Sequence, residues 1–482
     1  MADASILWFR RDLRLGDNPA LAGALAGATH LVPLYIHSPT EDHPWSPGAA
    51  SRWWLHHSLA ALDRRLTGLG SRLILAQGED SLQVLQKVIA ATGARRVHWN
   101  RLHEPTSVAR DRHIEQALRS SGSECFGTNG NLLFEPGEIL TAQKGPYRVF
   151  SAYWRRAIAQ LPPTPIIPIP SQLPPLPPEL TGLDLSTLRL QPRIRWDTGL
   201  ADAWTPGEEG AWRAARDFLD RRLVQYVEGR DRPDHRGTSR LSPHLHFGEI
   251  SPRQLLGALL ERGIDLDREP AASFLRELGW REFAHHLLAF FPQTPETPLD
   301  RRFAAFPWCH DDGTRLHAWQ QGRTGIPLVD AGLRELWTTG WMHNRVRMVA
   351  ASFLTKNLRL PWQLGARWFW DTLVDADLAN NTLGWQWVAG CGADAAPFFR
   401  IFNPIRQGER FDPSGDYVRR WCPELARLPD TYIHRPWMAP RELLSQADLE
   451  LGRDYPRPIV DLTTSRAAAL AAWSAIKDAG AG

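Results

Sequence analysis

The chain has 482 residues, of which 43% are hydrophobic and 23% charged, a composition typical of a globular protein with two or three domains. It has no apolar N-terminal signal core and no run of about 18 apolar residues that would span a bilayer. We therefore expect a cytoplasmic protein without a membrane anchor. The net charge of +3 does not by itself indicate a nucleic-acid partner. Four widely spaced cysteines without a CxxC pair argue against a disulfide framework or a zinc site, and we predict no metal.

The aromatic composition is unusual, with 22 tryptophans against 7 tyrosines. Many of these indoles will simply be core residues. Tryptophan is nevertheless the most easily oxidised aromatic side chain, so the excess favours stacking or electron-transfer roles and a redox cofactor.

Short apolar segments alternate with amphipathic ones over residues 1–135. We predict strands at 5–9, 30–36, 71–76 and 95–99, and helices starting near Asp17 and covering 49–69, 81–92 and 108–120. The alternation is typical of a doubly wound parallel sheet, which binds ligands at the carboxyl ends of its strands. Neither GxGxxG nor GxxxxGK[ST] occurs there, so we predict no dinucleotide or P-loop site.

A proline-rich segment separates this α/β domain from the rest of the chain. Residues 162–178 contain nine prolines in seventeen positions, which excludes helix or central strand and favours an extended connection. We place a linker at 136–204 and an all-α domain at 205–482, where helix-period patterns dominate.

The segment 375–387 carries the clearest chemical signal. It combines carboxylates, amides and indoles, namely Asp375, Asp377, Asn380, Asn381, Trp385 and Trp387. A buried helix would not hold so many polar groups without partners, because unpaired buried polar groups cost free energy. A solvated loop would not present two tryptophans beside them. The composition predicts a pocket wall that holds a polar heteroaromatic ring.

Three other segments of the helical half carry polar groups at suggestive spacings. The loop 236–243 has three hydroxyls beside Gly237, a pattern that fits phosphate binding or only helix capping. A predicted helix at 272–290 places Glu277 beside Trp280, which suits a base held by a carboxylate and an indole. We predict that 341–348 is helical, with Trp341 one turn before the stripe that contains Met348.

The run VDADLANNTLGWQWVAGCGADAAPFFRIFNP at 374–404 resembles the flavin-contacting core of the DNA photolyase and cryptochrome family. The resemblance extends from ILWFRRDLRLGDNPAL at 6–21 to RRWCPEL at 419–425, with many motifs in the family's order. It implies an α/β antenna domain followed by a helical domain that binds reduced FAD non-covalently.

Matched position by position, the resemblance implies a set of FAD contacts. Those for the diphosphate and sugar are Tyr226, Thr238, Ser239, Arg240, Leu241 and Ser242. The others are Phe274, Arg281, Asn344, Arg347, Asp375, Asp377 and Asn381. Arg347 would pair with Asp375, and Asp377 would accept a hydrogen bond from the flavin ring edge. Asn381 would face flavin N5.

The resemblance also implies contacts with DNA and with a flipped-out pyrimidine dimer. The matching positions are Arg230, Glu277, Trp280, Asn344, Arg345, Trp387, Arg400 and Gln407. The positions implied to be catalytic are Glu277, Met348, Asn381, Trp385, Trp362 and Trp308. The three tryptophans of that set would form an electron-hopping chain. Asn381 and Met348 follow the pattern of cyclobutane-dimer enzymes.

The N-terminal domain of this family carries a light-harvesting antenna, most often a reduced folate, and we expect 5,10-methenyltetrahydrofolate. His43 and Glu104 match its contacts in one branch. The alternative is that both are ordinary surface loop residues. Glu296 stands where that branch has a basic contact, which departs from the pattern.

These observations predict light-driven repair of cyclobutane pyrimidine dimers in DNA, a carbon–carbon lyase reaction that uses reduced FAD. We expect a bacterial cytoplasmic monomer without an obligatory protein partner. A cryptochrome-like photoreceptor and a dark flavin oxidoreductase are the alternatives. The repair-type residues and the short segment after 419–425 argue against the first, and the missing nucleotide fingerprint argues against the second.

Overall fold

The computed structural model describes residues 4–161, 165–178, 180–311, 313–395 and 399–478. A parallel five-stranded sheet with strand order β3-β2-β1-β4-β5 forms the N-terminal part. Its strands are β1 (Ala4–Phe9), β2 (His30–His37), β3 (Ile74–Gln77), β4 (Arg96–Asn100) and β5 (Glu124–Thr128). The helices between them are α1 (Pro19–Leu25), α2 (Ala49–Gly68), α3 (Ser81–Thr92) and α4 (Pro105–Ser120). The predicted α/β fold is confirmed, and β5 was not foreseen.

The core of the sheet explains why these segments are strands. Ile6 of β1 pairs in register with Val32 of β2 and Val97 of β4, and all three are fully buried. Leu85 of α3 and Ile114 of α4 join the same cluster. Strands buried on both faces read as continuous apolar runs, which is the pattern that predicted them.

Buried polar side chains tie the carboxyl ends of β1 and β4 together. Asn100 Nδ2 donates to Asp12 Oδ2 at 2.6 Å. Arg10 Nη1 donates to Asp111 Oδ2 at 2.7 Å, and Arg14 Nε donates to the Gly16 carbonyl at 3.0 Å. The guanidinium groups of Arg10 and Arg14 are therefore held by hydrogen bonds inside the first unit.

After β5, the regular structure of the described residues is mainly helical, as predicted for the C-terminal part of the chain. The helices are α5 (Phe150–Ile158), α6 (Thr198–Ala203), α7 (Glu208–Arg221), α8 (Tyr226–Gly229), α9 (Ser242–His246), α10 (Pro252–Glu261), α11 (Ala271–Phe290), α12 (Thr314–Gln320), α13 (Pro327–Thr339), α14 (Asn344–Ser352), α15 (Trp362–Thr372), α16 (Leu378–Ala389), α17 (Pro404–Phe411), α18 (Asp416–Trp421), α19 (Asp430–Ile433), α20 (Arg441–Gln446) and α21 (Leu462–Asp478). A π-helical turn, Phe353–Asn357, follows α14.

The predicted linker at 136–204 contains α5 and α6. Its proline-rich residues 165–178 form neither helix nor strand, as expected, whereas residues 162–164 lie outside the described ranges. Within those ranges, no helix is both long and apolar enough to cross a membrane.

The chain divides into two compact units. The first comprises Met1–Leu223, Ser239–Pro292 and Val374–Asp377, and the second comprises Val224–Thr238, Gln293–Leu373 and Leu378–Gly482. The predicted site residues occur in both units.

Candidate functional site

Asp377 lies in a buried polar cluster of the first unit. Its Oδ2 is 3.4 Å from His285 Nε2 and 3.6 Å from His246 Nδ1, and all three side chains are buried. Burial by itself would raise the pKa of Asp377, but His285 and His246 outweigh it, so that the pKa lies well below its usual range. Asp377 is therefore an ionised hydrogen-bond acceptor.

Glu104 belongs to the same part of the first unit and is not a surface loop residue. It is 5% exposed, and its Oε2 lies 2.5 Å from Arg11 Nη2. Burial acts to raise the pKa of Glu104, but Arg11 outweighs it and the net shift is downward. His43, the other predicted antenna contact, is exposed. An antenna contact for Glu104 stays a prediction, and its carboxylate is already paired.

Helix α11 carries the predicted lesion contacts of the first unit. Trp280 is half-buried and stacks on Phe150, with ring centroids 3.7 Å apart and an interplanar angle of 11°. Gly279 allows Trp154 to approach closely, because an added Cβ would lie 2.4 Å from Trp154 Cε3. Phe150 thus covers one face of the Trp280 indole. Glu277, three residues earlier on the helix, is also half-buried.

Two predicted FAD contacts of α11 have partners within the first unit. Phe274 is buried against Phe218, with ring centroids 4.8 Å apart. Arg281 Nη1 donates to the Asn131 carbonyl at 2.8 Å and lies 3.4 Å from Glu282 Oε1. These bonds fix the guanidinium, and its phosphate contact stays a prediction.

The second unit contains the start of the predicted phosphate loop. Gly237 lies so close to Gly229 that an added Cβ would stand 2.2 Å from the Gly229 carbonyl oxygen, so only glycine fits there. Nearby in sequence, the Arg230 guanidinium lies 5.5 Å from the ring centroid of Tyr226, which is buried.

The remainder of the loop, Ser239–Ser242, belongs to the first unit. Arg240 has a φ of +53° and its guanidinium lies 4.5 Å from the Trp204 ring centroid. The Leu241 N–H donates to Ser239 Oγ at 3.4 Å, and Ser242 is exposed. The backbone therefore turns at Arg240 immediately before α9.

Helix α14 corrects the prediction for 341–348. It begins at Asn344, because His343 caps it by accepting from the Arg345 N–H at 3.2 Å. Trp341 therefore precedes the helix. Asn344 and Met348 do share a stripe, with Asn344 Nδ2 lying 3.9 Å from Met348 Sδ.

The two arginines of α14 both have partners in the second unit. Arg345 Nη2 lies 2.8 Å from Asp231 Oδ1, and its guanidinium lies 4.4 Å from the Phe411 ring centroid. Arg347 Nε donates to the Met342 carbonyl at 2.7 Å. A DNA phosphate at Arg345 would have to compete with Asp231.

Helix α16 holds Asn381 and Trp385 in the second unit. Asn381 Nδ2 donates to the Ala366 carbonyl at 3.0 Å, which fixes the orientation of the amide. Trp385 is 2% exposed and makes edge contacts with Trp319 and Phe369, at centroid distances of 6.2 and 5.0 Å. Its Nε1 is buried and has no hydrogen-bond partner among the residues that the structure describes.

The two remaining tryptophans of the predicted chain differ in exposure. Trp362 is buried at the start of α15, and Trp308 is half-buried beside Phe306, with ring centroids 4.5 Å apart. A buried indole and a half-buried one suit the inner and outer members of an electron-hopping chain, which stays a prediction.

The last predicted DNA contacts lie around the end of α16. The Arg400 guanidinium lies 5.4 Å from the Trp387 ring centroid, and Trp387 is 6.5 Å from Phe402. Arg400 is exposed and Trp387 is half-buried. Gln407, on α17, has a buried Oε1 that meets no hydrogen-bond donor within the described ranges.

Sequence reasoning missed the partners of these residues. It did not single out His246 or His285 beside Asp377, Arg11 beside Glu104, or Trp319 beside Trp385. Helix spacing indicates neighbours within one helix, whereas these contacts join segments that are far apart in sequence. The adjacent pair His285 and His286, set among apolar residues at the C-terminal end of α11, was the visible signal.

Two family models cover most of the chain. The one described as DNA photolyase matches residues 5–175, and the one described as FAD binding domain of DNA photolyase matches residues 274–475. A deoxyribodipyrimidine photo-lyase from Agrobacterium fabrum is 47% identical over 475 residues, which is 98% of each chain. The chain belongs to the DNA photolyase and cryptochrome family.

Solved structures and plant relatives agree with this membership. A crystal structure of a bacterial class III photolyase from Agrobacterium tumefaciens has a TM-score of 0.93 and 46% identity, and the match covers 99% of this chain and 98% of that chain. Cryptochrome-1 of Arabidopsis thaliana is 42% identical over 478 residues, or 96% of this chain and 69% of that protein.

As a member of this family the chain contains an FAD-binding domain, and its residues fit that group. Among the described residues, the buried Trp385 Nε1 and His285 Nδ1 have no hydrogen-bond partner, so each is available to a polar atom of a bound group. Across the described ranges, no group of three or more His, Cys, Asp or Glu side chains is arranged to hold a metal ion.

Proposed function

We propose that this protein is a deoxyribodipyrimidine photo-lyase, which uses light to split cyclobutane pyrimidine dimers in DNA. The observation that carries the proposal is the full-length likeness to named photolyases, with 47% identity over 98% of both chains. Bound FAD, when reduced and excited by light, supplies the electron that opens the cyclobutane ring and then takes it back.

The proposed FAD contacts are those that the family resemblance implies, namely Tyr226, Thr238, Ser239, Arg240, Leu241, Ser242, Phe274, Arg281, Asn344, Arg347, Asp375, Asp377 and Asn381. Asp377, ionised and buried, suits a ring N–H donor. The bond from Asn381 Nδ2 to the Ala366 carbonyl leaves the Asn381 carbonyl oxygen free to accept a hydrogen bond, which is the role at flavin N5 that the family resemblance implies.

The proposed lesion contacts are Glu277 and Trp280 on α11, Met348 on α14 and Trp387 on α16. Flipping a dimer out of the duplex costs roughly a few kcal/mol, and less for a distorted lesion. Stacking contributes about 1–3 kcal/mol per base. Trp280, already backed by Phe150, presents a rigid indole for this contact. Glu277, half-buried beside it, would donate or accept at the base edge.

Trp385, Trp362 and Trp308 are proposed to carry electrons from the surface during flavin reduction by light. The proposed DNA contacts are Arg230, Asn344, Arg345, Arg400 and Gln407. Arg400 is the exposed cation of this set and needs no rearrangement to meet a phosphate.

We extend the proposal to the antenna and the setting of the protein. The family resemblance supports 5,10-methenyltetrahydrofolate near His43 and Glu104, and a monomer that acts on damaged DNA in the bacterial cytoplasm. Because Glu104 is paired with Arg11, the exposed His43 is the better test of the folate site. Loss of a folate absorption band in His43→Ala would support it, and an unchanged band would refute it.

A photoreceptor function is the second candidate. The similarity to Arabidopsis cryptochrome-1 and to a Synechocystis cryptochrome, the latter with 30% identity and a TM-score of 0.89, favours it. One assay separates the two functions: light-dependent loss of a thymine cyclobutane dimer from an oligonucleotide, with chemically reduced protein. Repair in light and none in the dark supports the lyase. Bound, photoreducible flavin without repair supports the photoreceptor.

A further inference from the structure

Helix α5 of the predicted linker packs on α11, the helix that carries the predicted lesion contacts Glu277 and Trp280. Phe150, the first residue of α5, is 5% exposed, and its ring lies 3.7 Å from the Trp280 indole at an interplanar angle of 11°. Phe283 meets the same indole edge-on, at 6.0 Å and 71°. A face contact and an edge contact together restrict both the tilt and the rotation of this half-buried side chain.

The Phe150 ring is itself held in place from both helices. Trp154, one turn later on α5, lies nearly parallel to it, with ring centroids 6.3 Å apart and an interplanar angle of 9°. Phe283 of α11 contacts its edge at 5.8 Å and 64°. Gly279 lets Trp154 pack onto α11 at the residue before Trp280, because an added Cβ there would lie 2.4 Å from Trp154 Cε3. The plane of the Phe150 ring is therefore set by its neighbours.

A second anchor holds α5 further along α11. Tyr153 is 2% exposed, and its ring centroid lies 5.2 Å from that of Phe283 and 5.1 Å from that of His286. His286 Nε2 also accepts from the Tyr147 N–H at 3.1 Å, in the segment that leads into α5. These contacts join α5 to α11 without the Trp280 indole, so the helix pair and the indole can be perturbed separately.

We propose that Phe150 is a positioning residue for lesion recognition, which holds the Trp280 indole in the plane where a base of the flipped-out dimer stacks. The inference rests on the proposed function, because it takes Trp280 as a contact of the lesion. With Phe150 against one face of the indole, the base stacks on the opposite face. An indole that is fixed beforehand loses less conformational entropy when the base arrives, which strengthens binding without an additional contact. The bases of undamaged DNA stay in the duplex, so Phe150 affects the affinity for damaged DNA alone.

Four variants of the full-length protein test this. Phe150→Leu keeps an apolar side chain but removes the flat ring. Tyr153→Leu is the matched control, because this buried ring lies on the same helix but contacts Phe283 and His286. Trp280→Ala, alone and combined with Phe150→Leu, completes a double-mutant cycle. The readouts are the dissociation constants in the dark for one oligonucleotide with and without a thymine cyclobutane dimer, and the urea midpoint of the FAD-loaded protein.

Phe150→Leu is expected to raise the dissociation constant for the damaged oligonucleotide about two- to tenfold, the effect of ordering one more side chain on binding. The constant for the undamaged oligonucleotide should not change. Tyr153→Leu should lower the urea midpoint but keep both native constants, and Phe150→Leu should have no further effect in the Trp280→Ala protein. Native affinity in Phe150→Leu, an equal loss in Tyr153→Leu, or the full loss in the Trp280→Ala protein would each overturn the proposal.

A measurement on the native protein covers the case in which Phe150→Leu does not fold. Tryptophan labelled with ¹⁹F reports the environment of each indole by NMR, and the Trp280→Phe spectrum identifies the Trp280 signal. One narrow Trp280 signal in the absence of DNA is expected, and several signals, or one broadened by exchange, would overturn the inference. The proposed function fails by a different result, namely native protein that contains no FAD or repairs no dimer.

Discussion

Gly365→Ala tests the packing that places Trp385. Gly365 lies inside α15 and is buried against this indole. An added Cβ would lie 2.0 Å from Trp385 Cη2, 2.5 Å from Cζ3 and 2.6 Å from Cζ2, all far inside van der Waals contact. Trp385 is itself 2% exposed, so it cannot move away without displacing Trp319 or Phe369.

Gly384→Ala is the matched control for the magnitude. Gly384 is exposed in α16, next to Trp385, and an added Cβ there meets nothing within 4 Å. Replacing a helical glycine by alanine stabilises by about 0.5–1 kcal/mol, and this gain applies to both variants. Overpacking costs typically about 1–3 kcal/mol. The difference between the two variants should therefore be about 1–3 kcal/mol and isolates the Trp385 contact.

Urea unfolding of the FAD-loaded protein measures this difference, with light-driven reduction of the bound oxidised flavin as the second readout. We expect a lower unfolding midpoint and slower photoreduction for Gly365→Ala, and a slightly raised midpoint with native photoreduction for Gly384→Ala. Equal midpoints would refute the packing. A destabilised Gly365→Ala with native photoreduction would refute the role of Trp385 in electron transfer.

Three further perturbations have defined outcomes. Burial raises the pKa of Asp412 to about 6, so the folded state binds this proton more tightly than the unfolded chain does. The free energy of unfolding should therefore fall by roughly 3 kcal/mol as the pH rises from about 4 to 6. Asp412→Asn should flatten this part of the pH–stability curve. Arg345→Ala should weaken DNA binding and reduce the slope of log affinity against log salt by about 1. Asp231→Asn, which removes the acidic partner of Arg345, should leave that slope undiminished. A native slope in Arg345→Ala would refute the proposed contact between Arg345 and a phosphate. Asn381→Asp loses the bond to the Ala366 carbonyl and adds charge, so redox titration should show a harder-to-reduce flavin.

The N-terminal fold could be predicted because its strands are buried on both faces. β1 and β2 are continuous apolar runs, and a parallel sheet follows from such runs alternating with amphipathic helices. β5 was missed because its sequence, Glu-Cys-Phe-Gly-Thr, has one buried residue and no such run. A strand at the sheet edge is recognised by pairing with β4, which the sequence does not display.

The candidate residues were found through the family resemblance, and their surroundings were not. Arg345 was predicted as a DNA contact, but its pairing with Asp231, more than a hundred positions earlier, was not predicted. Glu104 and Asp377 share their surroundings with Arg11, His246 and His285, and these five residues come from five separate segments of the chain. Trp341 was placed inside a helix because the residues after it have helical spacing, whereas the cap at His343 starts the helix later.

The most direct test of the proposed repair function uses chemically reduced protein under light and compares two damaged oligonucleotides. One oligonucleotide carries a thymine cyclobutane dimer and the other carries a (6-4) lesion. Repair of the first alone is the predicted result, and it would also support Met348 and Asn381 as markers of the cyclobutane-dimer enzymes. Repair of neither, by protein with bound and photoreducible flavin, would contradict the proposed lesion site.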